Sequence, residues 1–240
     1  MYSYARVLLK LHWGFSVSVP SASKAKASFL LPPPTTLKGA LSFAKYRGVD
    51  SLKGGSPAKE FEGVFAFARF SDSTLASYTE DVVRNVVLLF LREKYKKEKE
   101  HWYNIIPTGK VISPSGELLV VYVTDKISED DLERMAWSII RIGSKESLVS
   151  VESVEVGKAK EVKGVKVKTK YYFPATAKVL PDYSPLVIYA DFWEGGYDFG
   201  KEGKIVRYAI PLQKFPIKSV EVEVEAQRAF EVGGEYVVVA

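Results

Sequence analysis

Thr35, Thr36, Lys38 and Gly39 stand directly behind three prolines, in Ser28-Phe-Leu-Leu-Pro-Pro-Pro-Thr-Thr-Leu-Lys-Gly-Ala-Leu41. Hydroxyls, an ammonium and a residue without a side chain, set at the start of a helix, are the groups that hold a phosphate. The prolines fix φ and favour an extended arm. Thr35 or Thr36 is expected to cap the helix that follows, by accepting from a first-turn N–H. A helix start of this kind offers free N–H groups and the positive end of the dipole, with Lys24, Lys26 and Lys38 alongside. Leu37, Ala40, Leu41 and Ala44 recur at i, i+3, i+4 and i+7, which predicts one apolar face over about 36–47, with Gly48 as the stop. A Pro-rich loop before an ordinary amphipathic helix is the simpler reading of the same residues, because helix N-termini are common and phosphate sites rare.

Acid–base chemistry has little to work with. The 240 residues include two histidines, His12 and His101, and no cysteine. That excludes a disulfide framework, a thiolate nucleophile and a thiolate metal site, and leaves too few histidines for a conventional zinc site. No catalytic residue, metal or cofactor is assigned. The longest apolar run, Val86 to Leu91, is far short of a membrane span, and the N-terminus lacks the pattern of a signal peptide. A cytoplasmic protein without a membrane partner is expected. Sparse Asn, Gln and Met against abundant Lys and Glu lean toward a thermophile. A formal charge of +5 permits a polyanionic partner without requiring one.

The elements that must position these groups follow in a telling order. Residues 4–18 alternate: Ala5, Val7, Leu9, Leu11, Trp13 and Phe15 on one face, Tyr4, Arg6, Leu8, Lys10 and His12 on the other. This predicts a strand with one face buried. The helix at about 36–47 comes next, then strands at Val64–Phe70 and Leu118–Thr124. Ser128 is expected to cap a second helix, with Glu129, Asp130 and Asp131 in its first turn. Leu132, Met135, Ala136, Ile139 and Ile140 form its buried stripe, with Arg141 in the last turn and Gly143 at the end. A strand at Leu148–Val156 follows, with a phase slip near Ser153 that suggests a bulge.

The order predicts an α+β chain: a ferredoxin-like (RRM-like) βαββαβ domain over 1–156, with an arm inserted at 72–116, followed by a β-rich C-terminal region over 157–240. Both helices would cover one sheet face and leave the other open. Tyr4, Arg6, Lys10 and His12 on that open face suit contact with single-stranded RNA, although a face kept merely soluble explains them as well. Within the insertion, Ser77 and Glu80 have capping-box spacing, while the β-branched content argues for strand, so helix and strand both stay open. The run Arg92–His101 mixes signs and reads mainly as a solvated face or arm. Past Gly157, Lys163, Lys166, Lys168 and Lys170 alternate with apolar residues, as a phosphate-binding stripe would. Glu221, Glu223 and Glu225 alternate with Val220, Val222 and Val224, so two neighbouring strands could match Lys to Glu instead, and that explanation is preferred. Asp191 to Gly200 reads as a loop with aromatic anchors, and Gly233-Gly234 as a hairpin turn.

The Pro-Pro-Pro-Thr-Thr-Leu-Lys-Gly-Ala-Leu segment behind an N-terminal strand, together with Arg141-Ile-Gly-Ser-Lys-Glu-Ser-Leu-Val149, resembles the fifth CRISPR-associated (Cas) protein family of the RAMP superfamily. More narrowly, it resembles the family's archaeal type I-A branch. The resemblance implies a non-catalytic subunit of Cascade, the RNA-guided antiviral surveillance complex. Its partners would be the 5′ handle of the CRISPR RNA, the repeating backbone subunit and the large subunit. It also implies that the 72–116 insertion is a thumb directed at the backbone subunit. On this resemblance Arg141, Ser144 and Lys145 join Thr35, Thr36, Lys38 and Gly39 on one handle-binding surface. The wider superfamily's glycine-rich loop has only Gly233-Gly234 as a counterpart. One branch of the family cleaves repeat RNA with Tyr, Lys and His. Here Lys45, Tyr46, His12 and His101 are the available groups, without a clustered Lys–His pair, so metal-independent endoribonuclease activity is the alternative. A protein-bridging scaffold with little RNA contact is the third reading.

Overall fold

The computed structural model describes residues 1–19, 27–47, 61–85, 104–194 and 203–240. Its core strand is β1 (Tyr2–Leu11), in which Ala5, Val7, Leu9 and Leu11 have no exposed surface. Val7, Leu9 and Leu11 each contribute about 2 kcal/mol from apolar burial, and Ala5 less. Alternation continues past His12, but the strand does not. Gly14, at φ 140°, bends the chain away, and Phe15 enters a separate short strand, β2 (Gly14–Phe15). A Cβ on Gly14 would stand 1.9 Å from the Val111 carbonyl oxygen, so only glycine fits.

The first helix, α1, is Pro34–Leu41, followed by a single turn, α2, at Phe43–Tyr46. Neither threonine caps it. Pro34 takes the first helical position, where its fixed φ suits the helix and its missing N–H costs nothing. Thr36 and Leu37 then donate their N–H groups to the Pro33 carbonyl, at 3.0 and 3.2 Å. Leu37, Ala40 and Leu41 are buried as expected, but Ala44 lies past the break at Ser42 and is exposed. Gly48 lies outside the described residues.

Strand β3 (Phe65–Phe70) leads to the inserted arm, whose described part is the hairpin β4 (Ser77–Asn85) and β5 (Asn104–Ile112). Ser77 and Glu80 therefore lie in a strand rather than at a helix start, consistent with the β-branched residues around them. The charged run 92–101, with His101, lies outside the described residues, as do Lys24 and Lys26. Strand β6 (Glu117–Thr124) is internal to the sheet.

Helix α3 (Glu129–Trp137) begins as expected: the Ser128 hydroxyl accepts from the Asp131 N–H at 3.2 Å. Such a cap is worth about 1 kcal/mol. Leu132, Ala136 and Ile139 are buried, whereas Ile140 is half-exposed, because the helix ends at Trp137 and not at Gly143. Arg141 sits instead in an isolated bridge with Leu148.

Strand β7 (Val149–Thr169) is the longest and continues without a break through Gly157. Its register against β1 slips between Leu8 and Leu9, skipping Glu152, so the bulge inferred near Ser153 is present. Beyond it come β8 (Phe173–Pro174), β9 (Lys178–Val179), a 3₁₀ turn at Pro181–Leu186, β10 (Val187–Glu194), β11 (Lys204–Lys214), β12 (Ile217–Ser219), β13 (Val222–Val232) and β14 (Glu235–Val238). Asp191 to Glu194 thus belong to a strand, with Phe192 buried, because Phe192 and Ala190 face the core side of an alternating segment. The β13–β14 turn has Gly233 at φ 55° and Gly234 at φ 81°, the double positive φ that a two-residue hairpin demands.

The molecule is a strand-rich α+β fold with a curled main sheet, ordered β14-β13-β7-β1-β6-β3. Helix α3 packs on β7 and β1, and α1 on β3. The curl carries the sheet's two ends toward each other. Arg69 on β3 meets Glu235 on β14 at 2.5 Å, and Phe65 approaches Phe230 at 5.9 Å. The face expected to stay open is thereby partly closed. Tyr4 is buried and donates its O–H to Glu155 at 2.6 Å. Arg6 bridges Glu155 at 2.5 Å and Glu235 at 3.4 Å. The basic stripe of β7 stands opposite glutamates: Lys168 pairs in register with Glu223 and Lys166 with Glu225, the latter ion pair closing at 3.4 Å.

Candidate nucleic-acid interface

Two segments far apart in sequence form one cleft of about 390 Å³. Thr36, Gly39, Ala40 and Phe43 line it from the first helical region, and Ile140, Arg141 and Gly143 from the chain after α3. Helical geometry explains the first group, since positions 36, 39, 40 and 43 share one face. Gly39 has open space around its missing side chain, so a ligand backbone can approach there.

The second group is held by a network of serines. Ser144 donates its N–H to the Ser16 carbonyl at 2.9 Å, and Ser16 donates to the Ser147 hydroxyl at 3.1 Å. Ser144 and Ser147 share a hydroxyl hydrogen bond at 2.8 Å. Gly143, at φ 90°, makes this possible. A Cβ there would stand 2.5 Å from the Ser16 oxygen and would also crowd Val17. The Trp13 indole N–H closes the loop from outside by donating to the Glu146 carbonyl at 2.6 Å. Arg141 and Lys145 project from this braced loop, both exposed and without an ion pair among the described residues. Lys10 and His12 lie nearby. Lys10 is opposite Ser150 in register, and the His12 ring pairs with the Ser150 hydroxyl at 3.0 Å.

Lys38 does not join this cleft. It points across α1 into a smaller one of about 160 Å³, with Pro34, Glu62, Phe65, Glu194 and Tyr208. Burial holds its ammonium pKa below the ordinary lysine value, against the opposing pull of Glu194 and Glu62. Tyr208 donates to Glu194 in the same place, and burial with that carboxylate pushes the phenol's pKa well up. Thr35 is half-buried at the second helical position, and its helix start has lost one N–H to Pro34 and two to Pro33.

The structure thus brings together Thr36, Gly39 and Arg141, with Ser144 and Lys145 on the adjoining loop. It sets Lys38 apart, and it engages Tyr4 and Arg6 with carboxylates. Lys45 lies over the Tyr46 ring at 5.8 Å on α2, while His12 is occupied with Ser150 at the end of β1. Phe43 and Ser16 escaped the sequence reading, which gave Trp13 only a place on a strand face and Ser147 only a place in the Arg141–Val149 motif. The serine pair at i, i+3 was the available signal for the braced loop, but nothing local indicated Ser16 as its partner. Among the described residues no group of three His, Asp or Glu could hold a metal ion.

A 54% identical relative from Saccharolobus solfataricus, named "CRISPR system aCascade subunit Cas5 1", aligns over 98% of this chain and 98% of its own. The chain belongs to the Cas5 family of CRISPR-associated proteins. A more distant Cas5 protein of the same organism is 31% identical over 68% of the chain. No family model matches. Among solved structures, a CRISPR protein from Archaeoglobus fulgidus superimposes with a TM-score of 0.60 at 24% identity, covering 100% of this chain and 99% of that one. A chain of a CRISPR RNA-guided surveillance complex gives 0.53 at 13% identity, covering 92% and 91%. These two likenesses establish a shared fold. Among the described residues, no helix of this Cas5 chain is long and apolar enough to cross a membrane.

Proposed function

We propose that this Cas5 chain is a non-catalytic, cytoplasmic subunit of a type I-A Cascade that holds the 5′ handle of the CRISPR RNA. The handle would lie in the cleft of Thr36, Gly39 and Arg141. One observation carries the reading: a loop braced on Ser16 presents two cations without an ion pair among the described residues, beside the open space at Gly39, in a chain whose 54% identical relative is named as an aCascade subunit. Arg141 suits a phosphate because its planar fork can donate two parallel hydrogen bonds. The β4–β5 hairpin, as part of the inserted arm, is read as the thumb toward the backbone subunit, and the chain as the bridge between that subunit and the large one. The path β1-α1-β3-β6-α3-β7 is read as ferredoxin-like, supported by the antiparallel order β7-β1-β6-β3.

Phosphate contacts position a strand without reading its bases. Arg141→Ala should therefore weaken all handle RNAs alike, by about tenfold, and lower the salt slope by about one. Lys145→Ala should do the same more weakly, and Lys38→Ala should leave the slope unchanged. A salt titration of handle-RNA affinity decides this; an unaltered slope in both Arg141→Ala and Lys145→Ala removes the cleft as the site. Incubation with repeat RNA in chelator should yield no cleavage. A site-specific product lost in His12→Ala would make the protein a nuclease.

A further inference from the structure

Phe215, at the tip of the β11–β12 hairpin, is 89% exposed, the most exposed aromatic among the described residues. The tip that carries it is well anchored. The Gln213 side-chain amide donates to the Phe215 carbonyl at 2.8 Å. Ile217, two residues on, is buried and exchanges backbone hydrogen bonds with Ala76 at 2.8 and 2.9 Å. A ring left in water at that end of a braced turn contributes nothing to the core. Lys214 and Lys218 flank it, and neither has an ion pair among the described residues, although Lys166, Lys168 and Lys178 on the neighbouring sheet all do. Asp72, four residues before the Ala76 that pairs with Ile217, is already held by Lys170 and Arg69.

We propose that this tip is an aromatic wedge that stacks on a base of a single nucleic-acid strand, with Lys214 and Lys218 on the flanking phosphates. Any base presents a π-face to such a ring, so the contact would be indifferent to sequence. The tip lies on elements that take no part in the Arg141 cleft, so it is a second contact. It rests on the reading of this chain as part of a nucleic-acid-guided complex.

The test is fluorescence anisotropy of the full chain with labelled strands of about 12 nucleotides: oligothymidine, oligouridine and an abasic DNA strand. Phe215→Ala should weaken the base-bearing strands about tenfold or more and leave the abasic strand unchanged, with Phe215→Trp restoring affinity. A loss confined to DNA or to RNA supports the wedge and identifies its strand. Lys214→Ala and Lys218→Ala should each lower the salt slope on every strand, by about one. Equal affinity of wild type and Phe215→Ala, an equal loss on the abasic strand, or no binding by wild type overturns the wedge. So does intact strand binding with loss of a partner subunit in a pull-down, which assigns the tip to a protein contact. The two sites fail separately: a silent Phe215→Ala beside a sensitive Arg141→Ala removes only the wedge, and the reverse removes only the handle cleft.

Discussion

The loop at Arg141–Ser147 and the lysine stripe of β7 are both basic in sequence, yet they differ in what stands opposite. Lys166 and Lys168 face Glu225 and Glu223 across the sheet, so their charge is answered within the molecule. Arg141 and Lys145 have no such partner among the described residues, and serines and a tryptophan hold their loop in place. The count of cations therefore says little about where a polyanion will bind. A stripe denser in lysine is the poorer candidate, because a polyanion there must displace glutamates already in contact.

The comparison breaks most visibly at Gly143. Replacing it with alanine forces a Cβ against the Ser16 oxygen at a φ of 90°, and should cost about 1–3 kcal/mol of stability. A fall in Tm together with lost handle affinity is expected, whereas Gly164→Ala in β7, where a Cβ meets nothing, should lower Tm less and leave affinity intact. The second test is electrostatic. Arg141→Ala should reduce RNA affinity, while Lys166→Ala should not. Lys166→Glu should instead destabilise the sheet by about 0.5–1 kcal/mol by setting like charges opposite each other, and Lys166→Glu with Glu225→Lys should recover only part of it, since Lys178 pairs with Glu225 from the other side at 3.7 Å. Recovery of neither stability nor Tm in the double variant would show that the ladder is not a matched pair.

Alkaline pH probes the region that both surfaces share as a core. Burial and the Glu155 hydrogen bond push the Tyr4 pKa up to about 12. Burial raises those of Tyr122, Tyr171, Tyr172 and Tyr208 as well. A raised folded pKa keeps its stability below the unfolded value, near 10, and loses it as pH climbs toward the folded one. Chemical denaturation at stepped pH should show stability falling from about pH 10 upward, with the buried tyrosines' share of the tyrosinate absorbance appearing only at the unfolding transition. Tyrosinate absorbance that rises fully before unfolding would place these rings in water.

Local pattern was enough to locate β1, β3, β6, the Ser128 cap, the β7 bulge and the Gly233-Gly234 turn, because each depends on neighbours within a few residues. The lysine–glutamate ladder was legible because alternation on two strands constrains their pairing. The Thr35 or Thr36 cap was misread because Pro34 competes for the helix start, and both rules apply to the same four residues. Lys38 lines a different cleft from Arg141, which the sequence could not show, because a helix start defines a direction but not which flank the fold will bury. The closed sheet face was invisible for a different reason. It depends on β13 and β14, whose own residues say only that they are strands, not that they turn back over β1.

That curl has a consequence for how the chain is made. Arg69 and Glu235 are 166 positions apart, and Arg6 reaches the Gly233 carbonyl across 227. Contacts this distant delay closure, since the loop must be ordered before the contact rewards it. On a ribosome the first strands and helices α1 to α3 emerge long before the residues of β13 and β14 that cover Tyr4 and Arg6. Through that interval Tyr2, Phe65 and Arg6 stand without Phe230 and Glu235, the late residues that meet them in the finished sheet.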